Sequence, residues 1–80
     1  MDRDIKELYS SKRDYLTRRA VGVLLGEETL EVFSKSIIHE AQDLAITDAM
    51  RDPDNRLNEK DLANSRLFYT AMLRANLGMQ

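Results

Sequence analysis

Few residues in this chain stand at spacings that could do chemistry. His39 and Asp43 are four apart, which puts them on one face of a helix. Two ligands do not hold a zinc ion, and His39-Glu40-Ala41-Gln42-Asp43 lacks the second histidine of a metalloprotease helix. Asp52-Pro53-Asp54-Asn55-Arg56-Leu57 opens like a calcium loop. Its sixth position is Leu57, where the turn needs glycine, and its twelfth is Ala63, where a bidentate glutamate should close the shell. Ser10 and Ser11 have no histidine near them in sequence to activate them. No glycine-rich loop cradles a phosphate. The sequence predicts no catalytic residue, no metal, no cofactor and no small-molecule substrate.

A cluster of bases offers a different chemistry. Lys12-Arg13-Asp14-Tyr15-Leu16-Thr17-Arg18-Arg19 holds four bases and one acid, with Tyr9 close by. Such a segment can grip a nucleic-acid backbone, where phosphate contacts give affinity without reading bases. In an oligomer the patch is repeated, and modest sites add through avidity. Lys12, Arg13, Arg18 and Arg19 are therefore the candidate residues for DNA or an acidic partner. The overall balance opposes this: 12 Lys plus Arg against 14 Asp plus Glu give a net charge of −2. A free-standing nucleic-acid clamp is normally basic throughout. The plainer account of a charge run is a solvated helix face.

The elements that position these residues are bounded by size. A chain of 80 residues makes one domain. At this length folding buries only about 60% of the unfolded surface, so small domains add disulfides, a metal or a partner chain. With no cysteine and one histidine, self-association or a protein partner is the supplement that remains. Met1-Asp2-Arg3-Asp4 is charged and acidic, unlike a signal peptide. The longest apolar run, Ala20 to Leu25, is broken by Gly22 and falls far short of the roughly 20 residues of a membrane span. A cytoplasmic location is expected, the host cytoplasm if the protein is viral, with no membrane partner.

Apolar periodicity predicts three helices, about residues 2–24, 27–51 and 59–77, and no strand. The first carries Ile5, Leu8, Tyr9, Tyr15, Leu16, Ala20 and Val23 at helical spacing, with Gly22 and Gly26 bracketing its end. Either glycine can supply the left-handed stop. Glu27 and Glu28 then suit the positive end of a second helix. The second helix has Leu30, Phe33, Ile37, Ala41, Leu44 and Ala45 on one stripe and ends before Pro53. Asn58 is a natural N-cap for the third, with Asp61 three residues on and Leu57 and Leu62 as a hydrophobic staple. Gly78 marks its stop. The expected fold is all-α: a three-helix antiparallel bundle, or a helical hairpin plus a third helix, with oligomerisation expected and helices one and three lying against helix two.

Two faces have work left over. Val32, His39, Ile46 and Met50 recur at spacings of seven, seven and four, nearly opposite the core stripe of helix two. Either helix three wraps round to cover them or they form an intersubunit or partner face, because a helix apolar all round is normally buried. Leu67, off the main face of helix three, favours the second account. Lys12 and Arg19, in register with Ile5, point along the apolar stripe of helix one. Their heads either reach solvent over Tyr9, Tyr15 and Leu16 or meet acids of another subunit, or phosphates. Asp48, similarly placed in helix two, calls for an intrachain base such as Arg3 or Arg66.

The C-terminal third, from Leu57 to Gly78, resembles the last helix of small terminase subunits of short-tailed phages. Asp61-Leu62, Phe68, Leu73 and Asn76 match its Asp-Leu pair, aromatic-aliphatic stripe and late asparagine. The first helix has no counterpart. The resemblance implies a ring-forming, non-enzymatic DNA-packaging subunit that engages viral DNA and supports a separate motor. Two functions are thus expected from the sequence. One is an oligomerising helical adaptor of this phage type. The other is a small phage or bacterial regulatory or inhibitory protein that docks an apolar helix face on a host or viral protein, without nucleic acid.

Overall fold

Helix α1 (Asp2–Leu24) runs straight through Gly22 and is stopped by Gly26, whose φ of 79° is the left-handed conformation glycine tolerates. The Gly26 N–H donates to the Val23 carbonyl at 3.1 Å and the Glu27 N–H to Gly22 at 2.8 Å, the paired bonds of a Schellman cap. The same device closes α3 (Glu59–Asn76). There Gly78 has φ 74°, and Gly78 and Met79 donate to Ala75 and Arg74. Met79 then folds back against the core.

The computed structural model describes residues 2–51 and 58–79, with side chains from Asp4 onward. Helix α2 (Leu30–Met50) starts three residues later than Glu27, the start predicted from charge. Thr29 takes an extended conformation and its side-chain oxygen accepts the Val32 N–H at 3.2 Å, a stronger start signal than acids alone. Arg51 caps its far end. At α3, Asn58 caps as expected, accepting from the N–H groups of Lys60 and Asp61 at 2.8 and 3.4 Å. The Leu57 half of the staple, and residues 52–57 of the calcium-like stretch, lie outside the described residues. The described residues contain three helices and no strand. The chain is all-α.

Helix α2 is the element both others use. It packs against α1 and, more extensively, against α3. Its Phe33, Ile37, Ala41, Leu44 and Ala45 are buried, together with Ile5 and Leu16 from α1 and Leu73 from α3. Leu8, Tyr9, Ala20, Val23, Tyr69 and Leu77 close the margins. Two expected core residues are not there. Leu30 is 58% exposed, because it is the first residue of α2, beyond the reach of its neighbours' cover. Tyr15, about 100° round α1 from Leu16, is 41% exposed and serves Arg19 instead.

The principal-axis extents are 45 × 25 × 17 Å. The radius of gyration is 13.4 Å, against about 11.6 Å for a compact domain of this length. The lone chain exposes 5745 Å², where a monomer of its mass normally exposes about 4,900 Å². No helix among the described residues is long and apolar enough to cross a membrane.

Candidate functional site

The four candidate bases do not share a surface. Lys12 points from α1 onto α2, where its Nζ donates to Glu40 at 2.6 Å and to Asp43 at 3.2 Å. Its side chain is 12% exposed and that of Glu40 16%. Burial depresses the Lys12 pKa, but the bonds and charges of Glu40 and Asp43 outweigh it, and the net shift is upward. Arg19 is held more tightly. Its guanidinium grips both oxygens of Glu28, donates to the Tyr15 hydroxyl at 3.1 Å and lies over the rings of Tyr15 and Phe33. The bond to Glu28, more than any other contact, holds its pKa above the ordinary value, with burial opposing. Both bases thus meet acids of their own chain, an arrangement the sequence reading, which looked to solvent, another subunit or phosphate, did not foresee. The acids come from the turn and from α2, elements whose register no local pattern reveals.

Arg13 pairs at 3.3 Å with its exposed neighbour Asp14, and Arg18 makes no ion pair among the described residues. At about 100° per residue these two point some 140° apart round α1. Two bases are therefore neutralised and two diverge.

Asp48 has its base within the chain, but it is Arg51 at 2.9 Å, not Arg66; the Arg3 side chain lies outside the described residues. The Tyr69 hydroxyl donates to its other oxygen at 3.1 Å. Burial first, and then this bond and the Asp48 charge, raise the Tyr69 pKa. Tyr9 accepts a 2.7 Å hydrogen bond from Asn76, tying α1 to the end of α3, and burial raises its pKa. An open groove of about 380 Å³ runs beside these tyrosines, lined by Ile5, Lys6, Phe68 and Met72. Both phenol groups that border it already have partners. His39 is exposed, and Asp43 serves Lys12. No cluster of three metal-ligating side chains occurs among the described residues.

The apolar line on α2 is where the structure leaves surface uncovered. Val32 is 51% exposed, Ile46 36% and Met50 71%, with His39 exposed between them. Spacings of seven, seven and four keep all four within a narrow arc about 27 Å long, on the side of α2 away from its core stripe. Leu67, 63% exposed, belongs to α3 and not to this line. Sequence reasoning missed a second patch. Val21, Leu24, Leu25 and Leu30 are 52%, 86%, 69% and 58% exposed around the α1–α2 turn. The signal for it is the apolar run from Ala20 to Leu25, of which only Ala20 and Val23 belong to the core stripe. Helical angles would have set Val21 and Leu24 off the line of Leu16.

Compared with known proteins, the chain matches no family model, no curated protein and no solved structure.

Proposed function

We propose that this chain is a non-enzymatic, oligomerising helical adaptor: copies associate, and the outward line of α2 (Val32, His39, Ile46, Met50) docks on a helical protein partner. The observation that carries the reading is the surface left over. The lone chain exposes roughly 800 Å² more than its mass calls for, about one partner's share of a standard protein interface. Large apolar side chains also stand exposed on a regular, capped helix: Val32, Ile46 and Met50 of α2. In this reading the helices form an antiparallel bundle, supported by the order of contacts: Lys12 meets Glu40 and Asp43, while Arg19, later in α1, meets Glu28, earlier in the chain.

Native mass at micromolar concentration tests the oligomer, and capture of a helical protein partner tests the docking line. Ile46→Asp should abolish capture of a partner helix while leaving helicity intact. Unchanged capture would discard the α2 line.

The DNA-packaging role implied by the small-terminase resemblance is a narrower proposal. With Lys12 and Arg19 neutralised, a phosphate contact would fall to Arg13 and Arg18. Retention on DNA at low salt that weakens steeply as salt rises, and less steeply in an Arg13→Gln/Arg18→Gln variant, is the expected behaviour. No retention at low salt would end that role.

A further inference from the structure

We infer that the groove between α1 and α3 is a binding site for a small aromatic carboxylate, a ligand that the oligomeric reading above neither requires nor uses. The chain has three tyrosines and two phenylalanines, and Tyr9, Tyr69 and Phe68 all line this one groove. Ile5 and Met72 complete its apolar wall. Phe68 is 59% exposed, its ring set edge-on to Tyr69 with centroids 5.3 Å apart. A thioether beside bare aromatic surface favours a flat ring as guest, through sulfur–aromatic and edge-to-face contact. The volume of about 380 Å³ lies in the range of small-ligand sites. A void of about 150 Å³ holds one benzene, so a fused two-ring acid fits.

The polar groups select the acid. Tyr9 is tied to Asn76 and Tyr69 to Asp48. Both rings are thus pinned as walls before a guest arrives, and little order has to be gained on binding. Lys6 stands on the rim and makes no ion pair among the described residues. No acid lines the groove. Glu7 and Asp14 border the other side of Lys6, and Asp14 is paired with Arg13. An anionic head at the rim therefore meets an uncompensated ammonium while its ring lies on the apolar wall. One base suits a singly charged head, a carboxylate before a phosphate. No residue of α2 lines the groove, so the site is separate from Val32, His39, Ile46 and Met50.

The test is titration of the full chain with naphthalene-2-carboxylate, followed by NMR of the Met72 methyl group and the backbone amides, with naphthalene-2-carboxamide as the neutral control. The expected dissociation constant is about 1 mM or below, the floor that ordinary ligand efficiency sets for roughly 13 non-hydrogen atoms. Shifts should centre on Tyr9 and Met72. The carboxamide should bind about fivefold more weakly, the upper worth of an exposed ion pair. Lys6→Gln should weaken the carboxylate by the same factor and leave the carboxamide unchanged. Phe68→Ala should weaken both at least about tenfold with helicity unchanged, because Phe68 is more than half exposed. Shifts that do not saturate, that centre on another surface, or that are the same for acid and amide overturn the site. A sedimentation mass lowered by Phe68→Ala, with no probe bound, makes the groove an interface between copies and overturns it too. A monomeric wild type that binds the probe as expected upholds this site and ends only the oligomeric reading.

Discussion

Lys12 separates a base that serves the fold from one that serves a ligand. Consider Lys12→Met, which keeps the length and apolar stem and removes the charge. Lys12 and Glu40 lie 2.6 Å apart with side chains 12% and 16% exposed, while Asp43 is half exposed. Breaking a fully buried pair costs about 3–5 kcal/mol because the surviving charge is stranded. An exposed pair is worth about 0–1 kcal/mol. With Glu40 mostly covered but Asp43 still wet, the loss should be about 2 kcal/mol, between those limits. A domain of this size has about 4–12 kcal/mol in total, and a change of about 2 kcal/mol lowers the melting temperature by about 8–16 °C. Urea unfolding followed by circular dichroism reads the change directly. Adding Glu40→Gln to Lys12→Met should recover part of the loss, because the stranded carboxylate is then gone. An unfolding midpoint unmoved by Lys12→Met would refute the reasoning and return Lys12 to the pool of bases available to a ligand.

The two glycines of the first turn should behave oppositely. Gly22 is helical, and a Cβ there meets only the Glu27 side chain, its Oε2 at 3.4 Å and its Cβ at 3.9 Å, both ordinary contacts, so Gly22→Ala should stabilise by about 0.5–1 kcal/mol. Gly26 sits at φ 79° with open space around it, so Gly26→Ala should cost about 1 kcal/mol purely through backbone strain. Equal effects in thermal melts would contradict this assignment of the stop. Stability should also fall in alkali. Lys12, Tyr9 and Tyr69 all have folded pKa values above their ordinary 10.5, 10.0 and 10.0. Each holds its proton more tightly when folded, so its contribution is complete below those values and drains away as pH rises through the folded pKa. A urea midpoint that stays level from about pH 9 to about pH 11 would contradict it.

The fold was legible because its signals are local. Helical spacing located Phe33, Ile37, Ala41 and Leu44 in the core, Asn58 announced the start of α3, and Gly78 its end. The start of α2 was misplaced because Glu27 and Glu28 read as first-turn acids, whereas Thr29 caps the helix and Glu28 is drawn back to Arg19. The candidate site was less legible. That Lys12 and Arg19 face inward followed from their register with Ile5. Which acids Lys12 meets depends on how one helix slides along another, and residues 28–31 positions distant carry no local pattern for that, while Arg19 meets Glu28, nine positions on in the turn. Exposure was harder still. Val32 and Met50 stood out by lying opposite the core, whereas Leu24 lies off the line of Leu16 at the end of α1 and Leu25 lies just past it.

The central claim is that a single copy leaves large apolar side chains bare on its helices, and that copies of the chain associate. Equilibrium sedimentation of the wild-type chain from low to high micromolar concentration tests this most directly. The account predicts a mass that climbs from one chain toward a whole-number multiple of 9.2 kDa, with dissociation on dilution. A mass fixed at one chain throughout would contradict it.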